Sequence, residues 1–176
     1  MTREELIRRI KETAYLEGDF VLRSGRRSNY YLDKYKFETQ PDILHRLGEA
    51  FAEYKTAETT LIAGAELGGV ALAAVTSMAA NLPFVIVRNS KKGYGTERLF
   101  EGELAKGDKV LLVEDVATTG GQVIEAARNL AQAGAVVERI VAVIDRLEGA
   151  RENIEGAGLR FDALITTEDL GVKRGQ

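Results

Sequence analysis

Two spacings of apolar residues alternate along the chain. Leu6, Ile7, Ile10 and Ala14 recur at helical intervals behind Thr2 and Glu5, which have the spacing of a capping box, and predict an N-terminal helix. Residues 20–33 break that period with glycine and paired aromatics and read as a hairpin. Pro41 suits the first turn of a second helix, whose buried stripe is Ile43, Leu44, Leu47, Ala50, Phe51 and Tyr54. Short apolar runs then take turns with helical stretches: strands at 60–63, 84–87, 110–113, 136–144 and 163–166, helices near 69–80, 121–133 and 149–155, and a polar connection from 88 to about 107. Continuous apolar runs suit parallel strands buried on both faces, and strand–helix alternation implies right-handed crossovers. The expected architecture is one α/β domain over residues 1–176, with a central parallel sheet and helices on both faces.

The run 109–122, Lys-Val-Leu-Leu-Val-Glu-Asp-Val-Ala-Thr-Thr-Gly-Gly-Gln, carries the densest chemistry. Its apolar stretch is expected to end at Val113, so that Glu114 and Asp115 emerge at the carboxyl end of a central strand, the edge where open α/β sheets bind ligands. Ala117, Thr118, Thr119, Gly120 and Gly121 follow with hydroxyls and small residues that let backbone N–H groups approach an anion. The helix opening there turns its positive end toward that anion, and Gly134 is its expected C′ stop. Two carboxylates repel a phosphate but suit vicinal hydroxyls, whereas a Thr/Gly turn suits a monophosphate; together they describe a ribose 5-phosphate. The run contains neither Gly-Lys-Ser/Thr nor G-x-G-x-x-G, which removes the Walker and dinucleotide alternatives. An ordinary strand, turn and helix would account for Thr-Thr-Gly alone, but two acids directly after the apolar run favour a ligand.

Composition narrows the classes further. With no cysteine, the chain has no disulfides, thiol nucleophiles or cysteine metal sites, which fits a reducing cytoplasm. A net charge of −3 offers no general attraction to nucleic acid, and no apolar stretch reaches membrane-spanning length, so neither is an expected partner. Basic residues gather in islands instead, at Arg23, Arg26 and Arg27 and at Arg88, Lys91, Lys92 and Arg98, as small anionic ligands require. Alone, the connection 88–102 reads equally as a solvated basic loop or an active-site lid; beside a phosphate-binding strand the lid is favoured. Tyr30 and Tyr31 by themselves read as strand residues alternating between core and surface. Residues 64–71, Gly-Ala-Glu-Leu-Gly-Gly-Val-Ala, read by themselves as close helix packing, and Asp145-Arg146 as a surface ion pair. His45, the lone histidine, reads as structural or surface.

The apolar run, acidic pair and Thr-Thr-Gly turn resemble the signature of type I phosphoribosyltransferases, which bind 5-phosphoribosyl 1-pyrophosphate (PRPP). Three further strings are similar to those of the orotate phosphoribosyltransferases: Phe-Val-Leu-Arg-Ser-Gly-Arg-Arg-Ser-Asn-Tyr-Tyr from residue 20, Arg-Asn-Ser-Lys-Lys-Gly-Tyr-Gly from residue 88, and Asp-Arg-Leu-Glu-Gly-Ala from residue 145. Asn89 departs from the Lys that many relatives carry, Arg23 stands where a Lys is usual, and Leu67-Gly68 stands where some relatives have Tyr-Lys in a pyrophosphate loop.

The resemblance implies a type I phosphoribosyltransferase fold with a small N-terminal hood from residues 1–38, and transfer of the phosphoribosyl group of PRPP to orotate. It implies Mg²⁺ held mainly by PRPP, in the neighbourhood of Glu114 and Asp115, with no protein ligand assigned. Arg88, Lys92 and Asp115 take catalytic places; Arg88, Lys91, Lys92, Tyr94, Glu114, Asp115, Ala117, Thr118, Thr119, Gly120 and Gly121 face PRPP. Arg23, Ser24, Gly25, Tyr31, Thr119 and Arg146 face orotate, with Arg146 forking to its carboxylate. A homodimer that shares the lid 88–102 across its interface is implied as well. Two alternatives stay open: a transferase for another base, which the N-terminal string and Asp145-Arg146 disfavour, and a PRPP-sensing regulator of the same fold.

Overall fold

The structure, a computed structural model, describes residues 1–21, 25, 27–89 and 99–172. It begins with α1 (Arg3–Ala14), where Thr2 Oγ1 accepts from the Glu5 N–H at 3.2 Å and Glu5 Oε2 accepts from the Thr2 N–H at 2.7 Å. These reciprocal bonds satisfy two donors that a helix start leaves open. An antiparallel hairpin follows, β1 (Tyr15–Val21) and β2 (Arg27–Leu32), then the five-residue α2 (Lys34–Glu38) and α3 (Pro41–Ala52), which opens on its proline. The α/β portion runs β3 (Leu61–Ala65), α4 (Gly68–Ala80), β4 (Phe84–Val87), β5 (Phe100–Glu101), β6 (Lys109–Ala117), α5 (Gly121–Gln132), β7 (Val136–Asp145), α6 (Ala150–Gly156) and β8 (Phe161–Thr166).

Among the described residues the strands form a six-stranded sheet in the order β5-β4-β3-β6-β7-β8, parallel throughout except for β4 with β5. Two apolar layers cover it. Leu111 and Val113 of β6 pack with α1, α2, α3 and α4 through Leu6, Ile10, Phe37, Leu47, Phe51 and Leu72. Val110 and Leu112, one residue out of phase, pack on the other face with Val123, Ala127 and Leu130 of α5 and Ile154 of α6. The period-two alternation of a strand buried on both faces produces this division. α1 sends its apolar stripe into the same layer as the sheet, so the N-terminal segment shares the main core.

Three differences from the sequence expectations bear on the site. β6 does not end at Val113; its ladder with β7 continues through Val116↔Ile144 and Ala117↔Asp145, which draws Glu114 and Asp115 into the strand. α2 is too short to show a helical period. β5, two residues long, pairs with β4 inside the stretch expected to be an irregular connection.

The turn from β3 into α4 needs a close backbone approach. A Cβ on Gly64 would lie 2.1 Å from the Gly69 carbonyl oxygen, a contact with backbone that no rotamer change relieves. Gly64→Ala is therefore expected to cost about 2 kcal/mol or more of unfolding free energy, as overpacking does. Gly156→Ala, with nothing within 4 Å of the new methyl, should be neutral or slightly stabilising. Urea denaturation of both variants beside the parent checks the contrast.

Candidate active site

The carboxyl end of β6 leads directly into a phosphate-sized turn. Gly120 takes a left-handed φ of +78° as the N-cap of α5, and no side chain caps that helix start, so its first N–H groups face outward. A Cβ at Gly120 would meet Ile154 Cγ1 at 2.9 Å, and Asn153 Nδ2 donates to the Thr119 carbonyl at 2.9 Å, so α6 braces the turn from behind. An open cavity of about 80 Å³ is lined by Glu114 and residues 116–123. The expected phosphate residues Ala117, Thr118, Thr119, Gly120 and Gly121 thus surround one space with Glu114 at its edge.

Asp115 points elsewhere. It is only 2% exposed; its Oδ2 receives the Lys34 ammonium at 2.5 Å, and its Oδ1 receives the Val116 N–H. The same carboxylate presses on Gly68, the first residue of α4, where a Cβ would fall 1.5 Å from Oδ2. Gly68 is side-chain-free because Asp115 occupies that volume. Residues 64–71 therefore face the acids across a crevice between the ends of β3 and β6. Leu67 caps α4 without a side-chain hydrogen bond, leaving a second uncapped helix start.

Arg88 stands on the β3 side, its Nη1 between Glu66 at 3.7 Å and Glu101 at 3.6 Å, while its Nε is buried without a hydrogen-bond partner among the described residues. Glu66 also accepts the Asn89 N–H at 2.9 Å, and Asn89 Nδ2 donates to the Glu66 carbonyl at 3.0 Å. Glu66 was no sequence candidate, yet it ties the glycine turn to the base of the cationic connection. Lys91, Lys92 and Tyr94, like Arg23 and Ser24, lie outside the described residues.

Arg146 reaches the same end of the sheet, its N–H donating to the Ala117 carbonyl at 2.9 Å. Its guanidinium does not pair with Asp145, whose Oδ1 instead receives the Leu147 N–H at 2.8 Å and supports the left-handed φ of +58° there. Arg146 Nη2 donates to Glu148 at 2.9 Å and to the Tyr30 hydroxyl at 3.1 Å, and its Nε is buried without a partner among the described residues. Tyr30 is buried, stacked on Tyr15 with centroids 5.7 Å apart and lying under the Arg146 cation. Tyr31, on the opposite face of β2, is 43% exposed and contacts Phe20. Strand alternation thus brings Tyr30, not Tyr31, to Arg146. Gly25 lies at the hairpin tip with φ +80° and open space around it. His45 is on the surface, 3.4 Å from Glu49.

This geometry can be set beside known proteins. The family model described as "Phosphoribosyl transferase domain" matches residues 36–158. The orotate phosphoribosyltransferase of Methanocaldococcus jannaschii is 43% identical over 169 residues, covering 96% of each chain. The chain belongs to the orotate phosphoribosyltransferase family. The Pyrococcus horikoshii member is 46% identical, covering 96% of this chain and 92% of its own. Among solved structures, the Mycobacterium tuberculosis orotate phosphoribosyltransferase in complex with Fe(III) dicitrate superposes with a TM-score of 0.87 at 31% identity, covering 97% of this chain and 99% of the other. The same enzyme in complex with PRPP gives 0.79 at 28% identity, with the same coverage.

In this family member the end of β6 is crowded with acid. Burial, then the Asp115 charge, pushes the Glu114 carboxyl well above its ordinary range, opposed by Lys34. Glu38 of α2 is 4% exposed, with Oε1 unpartnered among the described residues, and burial followed by the Asp115 charge pushes it up to about 8. Burial alone would lower the Lys34 ammonium, but its hydrogen bond and attraction to Asp115 hold it above the usual lysine value.

Because the folded chain keeps a proton on Glu38 that the unfolded chain gives up near its ordinary value of 4.5, stability is full below that pH and is lost as pH rises toward about 8. Glu38→Gln should remove this loss. Relative to the parent, the variant should gain roughly 2–4 kcal/mol between about pH 5 and about pH 8.5, measured by urea unfolding at both values. Parallel pH profiles for the two proteins would contradict the assignment.

Proposed function

We propose that the chain transfers the 5-phosphoribosyl group of PRPP to orotate, giving orotidine 5′-monophosphate and pyrophosphate. The observation that carries the choice of acceptor is Arg146: a half-buried guanidinium with a donor unfilled among the described residues, anchored by its backbone to the strand that ends in the phosphate turn. A planar fork of this kind suits a carboxylate, and orotate differs from uracil by one.

In this reading the Thr118–Gly121 turn and the start of α5 hold the 5′-phosphate through N–H and hydroxyl donors. Glu114 and Asp115 accept from the ribose hydroxyls. The uncapped start of α4, Arg88 and the lid residues Lys91, Lys92 and Tyr94 receive the pyrophosphate, and Arg23, Ser24, Gly25, Thr119 and, in place of Tyr31, the Tyr30 that bonds Arg146 border the pyrimidine. Carboxylate oxygens at the end of β6 fit a hard, oxygen-ligated cation, so Glu114 and Asp115 would stand nearest to Mg²⁺, which would supply positive charge to the substrate. As the anomeric C–O bond breaks, negative charge grows on the departing pyrophosphate, and fixed cations that stabilise it lower the barrier. Orotate N1 then attacks the cationic ribose carbon as its N–H proton passes to an oxygen of the departing pyrophosphate, and no protein nucleophile is required. Arg146 holds the ring for that attack, so its contribution is orientation. The same reading places the enzyme in the cytoplasm.

Arg146→Ala should raise the orotate KM by about 100-fold or more while leaving the PRPP KM nearly unchanged, since stranding one partner of a buried charge pair costs roughly 3 to 5 kcal/mol. The parent should reject uracil for the same reason. An absorbance assay for base consumption with PRPP and Mg²⁺ checks both, and equal use of uracil and orotate would overturn the choice of acceptor.

A homodimer that shares the lid 88–102 belongs to the same proposal, supported by the cationic string that begins at Arg88. Lys92→Ala and Asp115→Asn, each strongly impaired but measurable alone, should regain part of the parental activity when mixed, because a hybrid dimer contains one site with both residues intact. No recovery after verified subunit exchange would count against the shared site.

A further inference from the structure

We propose that Lys34 is the positioning residue for Asp115, its ammonium turning the carboxylate against Gly68 at the head of α4 and holding it there. The inference rests on the reading of Asp115 as an acceptor for the ribose hydroxyls. Lys34 lies in none of the strings that identify the family, and it is 81 positions from its partner.

Asp115 is fixed from three directions. Its own strand supplies the Val116 N–H to Oδ1, the missing side chain of Gly68 makes room for Oδ2, and the Lys34 ammonium bonds Oδ2 at 2.5 Å. The first two are backbone features and permit the rotamer. Only the third is an attraction directed at Oδ2 from another element. Glu114, next in sequence, and Glu38, four residues from Lys34 on α2, add carboxyl groups on either side but no positive charge, so among the described residues Lys34 is the cation paired with Asp115. Loss of the ammonium therefore frees Asp115 to leave the orientation that Gly68 accommodates.

Lys34 is itself 35% exposed along its side chain, beside an acid that is almost fully buried. A cation in that place could touch the substrate directly instead of acting through Asp115. The two roles differ in how mutations combine.

Steady-state kcat/KM for PRPP in Lys34→Met, Asp115→Asn and the double variant separates them. Lys34→Met should lose about tenfold or more, with the orotate KM moving less than about twofold, and Lys34→Arg, which keeps the ion pair, should recover most of the loss. In the Asp115→Asn background the Lys34→Met change should cost nothing further. Should Lys34→Met fail to fold, the comparison of Asp115→Asn with the double variant still decides, because neither contains a stranded carboxylate. Losses that multiply in the double variant, or a Lys34→Met enzyme at parental kcat/KM, overturn the inference and leave the ribose reading intact. An Asp115→Asn enzyme with full kcat/KM for PRPP would overturn both.

Discussion

The crevice exists because crossover connections have one hand. β4 lies outside β3 and β7 lies outside β6, so connections of the same hand must carry α4 over one face of the sheet and α5 over the other. Both helices start beside the carboxyl ends of β3 and β6. Ligands of open α/β sheets bind at such a reversal. Here the two helix starts lack side-chain caps, so the topology brings two sets of unsatisfied N–H donors to one opening. Gly64 and Gly68 are consequences of the same constraint. With β3 and β6 adjacent, the turn into α4 must clear its own strand and the Asp115 carboxylate together, and only residues without a side chain do so.

Charge around the crevice is deliberately uneven. Arg88 and Arg146 each keep a buried Nε without a partner among the described residues, while carboxyl groups crowd the middle at Glu114, Asp115 and Glu38. Buried donors without partners lower stability, and so do buried carboxyl groups forced to share one ammonium. The pattern becomes coherent under the proposed function, whose substrates are anionic at their ends and hydroxyl-bearing between: phosphate and pyrophosphate would meet helix starts and cations, ribose the acids, and a carboxylate Arg146. On that proposal, stability given up in the free protein would be returned when those groups arrive.

Much of this was legible along the chain, and the limits of legibility are physical. The capping box at Thr2, Pro41 opening α3, β4 at Phe84–Val87 and Gly134 after α5 are local signals, and the chain obeys them. The end of β6 was misplaced because a strand stops where its neighbour stops, and β7 supplies partners as far as Asp145. Tyr30 and Tyr31 could not be assigned faces without the register of β2, where one step exchanges core for solvent. Arg146 stood out from its string, but its pairing with Glu148 in place of Asp145 depends on the left-handed turn at Leu147. The Lys34–Asp115 bond had no local trace, since both residues look ordinary in their own segments.

That bond also links the site to the core. A five-residue helix has no independent stability, and α2 has no side-chain cap to hold its start. What keeps it folded is Phe37, fully buried among α1, α3 and α4 in the layer beneath the sheet. Lys34 and Glu38 are therefore placed by the packing of an aromatic ring between them. The electrostatics at the end of β6 thus depend on apolar packing in a segment far away in sequence, and a substitution that loosened Phe37 would reach Asp115 without touching any residue of the phosphate turn.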